Sequence, residues 1–182
     1  NISNTAEKAQ NSFIDNHTSG ENSLLYHSKY TKQDKQDVFD KMIDSFKENG
    51  SRKFHSLRSG PGISAALNIT CERMMSEFNN AENTLQRGGR LGRFGENSSV
   101  NKMTIVIPES ITKGKKNGLC AKFLSHQDIL ESTIKWHEFL RVNVYGKKLT
   151  LKEIYAFYAE FYKDASNVEA VEKDFIKSLK KS

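Results

Sequence analysis

The sequence predicts an α/β fold, a parallel sheet flanked by helices, followed by a C-terminal helical appendage. Strand-like and helix-like apolar patterns alternate through residues 1–107. Their connections are short, and this combination is typical of parallel strands joined by helices. Beyond that point the apolar spacing is helical throughout. We therefore expect an α/β domain at residues 1–108 and a helical region at residues 109–182.

Composition sets limits on the class of protein. The chain has 182 residues, 28 basic and 22 acidic, with a formal net charge of +6. This excess fits a phosphate-bearing partner, although many proteins without one are equally basic. No window approaches the roughly 20 apolar residues of a membrane span, and no export leader is present, so we expect a cytoplasmic protein with no membrane partner. Cys71 and Cys120 lie far apart and predict neither a disulfide nor a zinc site.

The first elements follow from helix caps and apolar runs. Asn4 and Glu7 have capping-box spacing, which predicts a helix from about Thr5. Residues 24–27 form a short apolar run typical of a buried strand. Thr31 can cap a second helix, which Asn49-Gly50 should end. The apolar positions on one face of that helix are Val38, Phe39, Met42, Ile43 and Phe46.

The remaining elements of the α/β domain come in the same alternation. Residues 54–59 predict a strand, followed by the loop Gly60-Pro61-Gly62 and a short helical stretch. Residues 73–77 predict another strand, and Asn80 or Asn83 can cap the helix after it. Residues 103–107 predict a last strand, which Pro108 stops.

The C-terminal region predicts three helices after a basic loop at residues 113–117. Their starts are indicated by Ser125 with Asp128, and by Thr150 with Glu153. The last helix should bury one stripe: Val168, Val171, Phe175 and Leu179. A second stripe, Tyr155, Tyr158 and Tyr162, could stack on nucleic-acid bases, but tyrosines at helical spacing more often belong to a core, which we expect here.

The densest chemical signal is the segment from Gln86 to Arg93, with arginines at positions 87, 90 and 93. This spacing predicts that the three project from one helical face, exposed, and either unpaired or bound to an anion. Guanidinium suits bidentate phosphate binding, and clustered like charges call for an anion to neutralise them. The alternative is an ordinary solvated basic face.

The same segment resembles the motif Gln-Arg-x-Gly-Arg-x-Gly-Arg that ends the conserved core of superfamily 2 helicases. Most of the chain is similar to one such family, the helicase-nuclease effector of type I CRISPR systems, which degrades invader DNA after the surveillance complex recruits it. The similar segments are residues 1–10, 25–31, Ser59 with Ala66-Leu67-Asn68-Ile69, residues 75–77, and Arg93 to Glu96. The loop at residues 60–62 and the C-terminal sequence resemble the subtype fused to an adaptation protein.

The resemblance implies a RecA-like fold and a role for each matching residue. Arg90 and Arg93 would be arginine fingers that reach the β- and γ-phosphates of ATP bound on a partner domain. Other residues at or near the ATP interface would be Gln86, Arg87, Asn68 and Gly62. The residues that contact DNA would be Ser3, Asn4, Thr5, His27, Ser28, Ser59 and Gly60. Helix caps and strand-end histidines are more often purely structural, which is the alternative for several of these.

The chain departs from the family pattern in several places. Asn68 stands where Asp is usual, which puts a carboxylate role in doubt, and Gly88 can loosen the helix locally. No phosphate-binding G-x-x-x-x-G-K-[ST], no acidic DExx segment and no adjacent His-Asp pair occur. The resemblance therefore implies that ATP and Mg²⁺ are held mainly by a first RecA-like domain, and that nuclease metal ions belong to a further domain. We expect this chain to be part of a longer enzyme and inactive alone.

Two classes of function remain. The first is half of an ATP-dependent motor and nuclease effector whose partners are single-stranded DNA, the first RecA-like and nuclease domains, the CRISPR surveillance complex and, for the fused subtype, adaptation proteins. The second is a non-enzymatic nucleic-acid-binding or assembly module that keeps the fold. The presence of both Arg90 and Arg93 favours the motor, since binding alone does not need guanidinium groups at finger spacing.

Overall fold

The computed structural model of the chain describes residues 1–16, 22–64, 67–95, 101–111, 124, 126, 128–144 and 146–180. It divides into two compact units. The first contains Asn1–Phe78 with Asn83–Val106, and the second contains Asn79–Glu82 with Ile107–Ser182. Among the described helices, none has the length and apolar character needed to cross a membrane. The predictions made for Ala66, Glu96, residues 113–117, Cys120 and Ser125 lie outside the described residues.

Helices and strands alternate in the first unit, as the sequence predicts. In chain order its elements are α1 (Ala6–Asn16), β1 (Ser23–Tyr26), α2 (Lys32–Phe46), β2 (Ser56–Ser59), a short 3-10 helix (Pro61–Ser64), β3 (Arg73–Glu77), α3 (Ala81–Gly88, of which residues 83–88 belong to this unit) and β4 (Lys102–Val106).

The strands of the first unit are parallel. β1 pairs with β2, and β3 pairs with β4. The two pairs are joined by residues 1–3: the Ile2 N–H donates to the Met75 carbonyl at 2.8 Å, and the Ser3 N–H donates to the Ser59 carbonyl at 2.8 Å. The order is therefore β1, β2, residues 1–3, β3, β4, which confirms the mixed α/β class and its parallel pairing.

Packing of apolar side chains between sheet and helices explains why these segments form. Alternate residues of β1, Leu24 and Tyr26, are buried, and so are Met42 and Phe46 of α2. These four belong to one cluster whose other members are Ile2, Ile63, Ile69 and Met74. A period-2 face on a strand and a one-sided face on a helix meet here, as their sequence patterns predict.

The helix ends confirm one predicted cap and correct two details. Thr31 caps α2, accepting from the Asp34 N–H, but α2 ends at Phe46, before the predicted Asn49-Gly50. At α1 the Thr5 hydroxyl accepts from the Lys8 N–H at 3.2 Å. The prediction that Asn4 caps α1 is wrong, because its side chain points back to the sheet and donates to the Phe78 carbonyl at 2.7 Å.

The second unit contains α4 (Leu130–Asn143), α5 (Leu151–Phe161) and α6 (Ala165–Leu179). Its core is aromatic: the Trp136 and Phe161 rings meet edge to face with centroids 5.1 Å apart. The predicted capping box of Thr150 and Glu153 is present. No side chain caps α4 locally; instead Asp174 of α6 accepts from the Ser132 N–H at 2.7 Å.

Two predicted stripes of this unit are placed differently from expectation. On α6 the buried positions are Asn167, Ala170 and Asp174, because that face packs on α4. Phe175 and Leu179 are 62% and 57% exposed, so the prediction of a buried stripe is wrong for them. Tyr155 is 51% exposed and is not a core residue, whereas Tyr158 and Tyr162 are half-buried with ring centroids 4.9 Å apart.

Candidate functional site

The residues expected to contact DNA come together at one edge of the sheet. Because the strands are parallel, their carboxyl ends share an edge. His27 and Ser28 follow β1, Gly60 follows Ser59 at the end of β2, and the turn at residues 3–5 follows the central segment. These three turns touch: a Cβ built on Gly60 would lie 3.6 Å from the Ala6 Cα and 3.8 Å from the His27 Cβ. We call this region the carboxyl edge.

Several side chains of the carboxyl edge have internal partners. His27 is buried; its Nδ1 accepts from the Lys29 N–H at 3.0 Å, and its ring stacks on Tyr30. Burial lowers the pKa of His27, and the positive charge of Lys29 lowers it further. Ser3, Asn4 and Ser59 are buried as well, whereas Ser28 is exposed and Thr5 is half-buried. Among these side chains, a ligand at this edge would therefore meet Ser28 first.

A cleft of about 300 Å³ lies at the carboxyl edge. It is lined by Tyr26, His27, Ser28, Lys35, Phe39, Gly62 and Leu67. Lys35, in the first turns of α2, supplies a positive charge that was not predicted. The sequence contains a signal for it, since α2 starts shortly after His27 and Ser28 at the end of a predicted strand. Gly62, which the resemblance assigns to the ATP interface, also lines this cleft.

The arginine segment has a different geometry from the one expected. α3 ends at Gly88, and the chain then turns so that the Cys71 N–H donates to the Arg90 carbonyl at 3.0 Å. Leu91 bridges Cys71, just ahead of β3. The prediction of three arginines on one helical face is wrong, because two adjacent glycines end the helix and the chain pairs with residue 71 instead. Arg90 and Arg93 project from the turn beyond the helix.

The three arginines also differ in exposure. Arg87 and Arg90 are 1% and 4% exposed, whereas Arg93 is exposed. The expectation of exposure is thus confirmed for Arg93 and wrong for the other two. Arg90 donates to the Gln86 carbonyl at 2.6 Å, and Arg93 donates to the Leu67 carbonyl at 3.5 Å.

Neighbouring positive charges surround Arg90. Burial lowers the pKa of Arg90, and the neighbouring charge of Arg93 lowers it further. Arg90 also lines a cavity of about 260 Å³, together with Arg58 and Arg73, and no Asp or Glu lines it. Arg58 and Arg73 belong to segments that the sequence predicts as strands, and their clustering with Arg90 was not predicted.

The other expected ATP-interface residues, Gln86 and Asn68, are exposed. Asn68 is adjacent to Leu67, the residue whose carbonyl accepts from Arg93. Throughout the part of the chain that the structure describes, no group of three His, Cys, Asp or Glu side chains could hold a metal ion. Arg90 and Arg93 each carry a guanidinium group, which suits bidentate binding of anions.

A parallel α/β sheet whose arginine-bearing segment returns along β3 is the architecture of a RecA-like helicase C-terminal domain. The family model for the C-terminal region of the CRISPR-associated nuclease/helicase Cas3 matches residues 1–96, more than half of the 182 residues. The chain belongs to this family, as the resemblance implied. No curated protein matches the chain.

Solved structures of Cas3 share the fold. T. fusca Cas3 with AMPPNP aligns at 16% identity and a TM-score of 0.70, covering 98% of this chain and 22% of that chain. T. fusca Cas3 with ATP aligns at 17% identity, a TM-score of 0.67 and the same coverage. A chain from a CRISPR RNA-guided surveillance complex before nicking aligns at 16% identity with a TM-score of 0.65, covering 98% of this chain and 23% of that one. The chain thus spans less than a quarter of these proteins.

Proposed function

We propose that this chain is the second RecA-like half of an ATP-dependent motor that moves on single-stranded DNA, within a helicase-nuclease effector of CRISPR interference. One observation carries the proposal: the exposed Arg93 and the buried Arg90 lie side by side in a positive environment within the helicase motif. The family membership supports the same reading. We expect the chain alone to show no DNA-stimulated ATP hydrolysis, because the phosphate-binding loop and the acidic metal-binding segment would come from another domain.

The residues around Arg90 fit a triphosphate better than a metal ion. Arg58, Arg73 and Arg90 line one cavity, and none of its lining residues is acidic. Mg²⁺ takes oxygen ligands, above all carboxylates, so it would be held by the partner domain. ATP bound there supplies the γ-phosphoryl group. Arg93 would bind the phosphate oxygens and stabilise the charge that develops on them, while Arg90, partly withdrawn behind it, would hold the neighbouring phosphate.

The carboxyl edge is the proposed DNA-binding surface. Helix N-termini bind phosphates through N–H groups that have no partner inside the helix, and α1 opens at this edge. Lys35 lines the adjacent cleft and would add a charge contact to the DNA backbone. Ser28 is exposed beside it. Ser3, Asn4, Ser59 and His27 would act here by shaping the turns rather than by direct contact.

The proposed partners follow from the same assignment. A first RecA-like domain would face Arg93, with Gln86 and Asn68 as further exposed contacts. The surveillance complex would deliver the DNA strand, a nuclease domain with its own metal ions would cut it, and an adaptation protein would be fused or associated in one subtype. We propose a cytoplasmic location, where such a complex would meet invading DNA.

The test is DNA-stimulated ATP hydrolysis by the intact enzyme that carries this chain. We expect Arg93→Ala and Arg90→Ala to lower the maximal rate by about 10³-fold or more at saturating ATP and DNA, with little change in affinity for single-stranded DNA. Lys53→Ala removes an exposed positive charge elsewhere in the same unit and should leave the rate unchanged. A variant whose rate returns to the wild-type value once DNA is raised would overturn the finger role. It would instead support the binding-module alternative, with a smaller salt dependence of DNA binding.

A further inference from the structure

Arg87 is the most buried arginine of the motif, and it donates hydrogen bonds to residues outside its own helix. Its guanidinium donates to the Ser76 hydroxyl at 2.9 Å, to the Glu77 carbonyl at 3.0 Å and to the Asn4 side-chain oxygen at 3.0 Å. Burial lowers the pKa of Arg87 to about 10, although Glu77 opposes that shift. The side chain therefore stays cationic at neutral pH, and both of its terminal nitrogens donate to groups of this chain.

The direction of α3 explains how the Arg87 side chain reaches the end of β3. β3 ends at Glu77, α3 starts at Ala81, and Leu91 beyond the helix returns to Cys71 ahead of β3. The helix therefore runs back along the strand. Helical side chains tilt toward the N-terminus of their helix, so the Arg87 guanidinium reaches back to the carboxyl end of β3. Its backbone, however, is only three residues from Arg90.

The residue at the other end of this contact, Asn4, is held through its backbone N–H and through both polar atoms of its side chain. Its backbone N–H donates to a Glu77 carboxylate oxygen at 2.5 Å, and its side-chain amide donates to the Phe78 carbonyl at 2.7 Å. Its side-chain oxygen accepts from Arg87. The other Glu77 oxygen pairs with Lys8 in α1. A single network thus joins the end of β3, the turn that opens α1, and the last turn of α3.

We infer that Arg87 is a positioning residue that couples the carboxyl edge to the arginine segment, rather than a ligand of ATP phosphate. The inference rests on the proposed function, in which the α1 turn binds DNA phosphate and Arg90 with Arg93 completes the ATP site. DNA at the α1 turn shifts Asn4, Asn4 shifts the Arg87 guanidinium, and α3 carries that displacement to the turn that holds Arg90. The coupling would be read as the stimulation of ATP hydrolysis by DNA.

A double-mutant cycle of Arg87 and Asn4 in the intact enzyme tests this coupling. Arg87→Lys keeps the charge but loses the planar fork that bonds two elements at once. Asn4→Ala removes the acceptor on the α1 turn. We expect each change to reduce the ratio of DNA-stimulated to basal ATP turnover by about ten-fold, within the usual range of coupling between sites. We expect the double variant to be no lower than either single one, because both changes break the same contact.

A matched control separates coupling from general loosening of the fold. Ser76→Ala removes another Arg87 acceptor, on β3, but leaves the bond to Asn4, so it should keep the wild-type stimulation ratio. Independent, multiplying effects of Arg87→Lys and Asn4→Ala would overturn the inference, and so would an unchanged ratio in either. If Arg87→Lys does not fold, Asn4→Ser carries the test, with the same expected loss and the same contradicting result.

The variant Arg93→Ala separates a test of the coupling role of Arg87 from a test of the proposed motor function. If Arg93→Ala abolishes hydrolysis while Arg87→Lys keeps the full DNA stimulation, the motor assignment stands and the coupling role of Arg87 falls. If Arg93→Ala leaves hydrolysis at the wild-type rate, the proposed function itself falls.

Discussion

Replacing Glu82 by glutamine should stabilise the protein at neutral pH. Glu82 lies in the first turn of α3, and neither carboxylate oxygen is exposed or hydrogen-bonded to another described residue. Burial raises the pKa of Glu82 above its ordinary value of 4.5; its own backbone N–H offsets part of that shift, and the negative charge of Asp174 adds to it. Burying a polar group without a partner costs roughly 1–3 kcal/mol, and a charged one costs more.

The size of the effect follows from two opposing contributions. Glutamine removes the buried charge but is itself a buried polar group, and it loses an attraction of roughly 0.3–1 kcal/mol between a carboxylate and the start of the helix. The net gain should be about 1 kcal/mol. With a urea slope of about 2 kcal/mol per molar, the unfolding midpoint should rise by about 0.5 M. Trp136, the one tryptophan of the chain, is buried in the unit that contains Glu82, so its fluorescence reports the transition.

The pH dependence of this gain gives a second readout. Because the folded-state pKa of Glu82 is raised, the folded protein binds this proton more readily than the unfolded chain. The stability that this proton contributes is present below the ordinary value of 4.5 and is lost as the pH rises through the folded-state pKa. The advantage of Glu82→Gln should therefore shrink as the pH falls toward 4.5. Glu172→Gln, an exposed change in α6, is the control. A Glu82→Gln variant less stable than the wild type at pH 7 would refute the reasoning.

Two further predictions concern Asp174 and Gly92, whose contributions to stability depend on residues distant in the sequence or on backbone conformation. Asp174→Ala should destabilise the second unit by about 2–4 kcal/mol in the same Trp136 assay. The reason is that it removes two charge-assisted hydrogen bonds, from the Glu131 and Ser132 N–H groups. An effect no larger than that of Glu172→Ala would contradict the capping role. Gly92→Ala should cost about 1–2 kcal/mol in thermal unfolding, because Gly92 has φ +57° and an added Cβ would lie 2.0 Å from the Asn101 amide nitrogen. Gly62→Ala, which meets nothing within 4 Å, should be nearly neutral, and equal losses at the two sites would show that the backbone of Gly92 imposes no constraint.

The strands and helices of the first unit were predictable because their signals are local. β3 spans the residues expected for it, Arg73–Glu77, and Thr31 caps α2 as its position indicates. Period-2 and period-3.6 burial patterns need only neighbouring residues to be read. The parallel pairing followed from the same alternation, since strands separated by helices rarely pair in any other way.

The site geometry was less predictable because it depends on distant partners. Arg87 is buried and donates a hydrogen bond to Asn4, which lies 83 residues away in the sequence. Nothing near Arg87 in the sequence indicates that bond. Asp174 caps a helix that starts more than 40 residues earlier. Gly88 and Gly89 are a local signal for the end of α3. The pairing of Leu91 with Cys71, which turns Arg90 inward, depends instead on a distant residue.

We propose that Arg90 and Arg93 act on ATP phosphates, and that Arg87 is a positioning residue that connects the carboxyl edge to the arginine segment. The most direct measurement is a structure of the intact enzyme with single-stranded DNA, ADP, Mg²⁺ and aluminium fluoride as a mimic of the transferring phosphoryl group. We expect guanidinium nitrogens of Arg93 and Arg90 within about 3 Å of phosphate oxygens or fluorides, with Arg87 still bonded to Asn4. Arg93 bound to a DNA phosphate, or Arg87 bound to the nucleotide in its place, would contradict it.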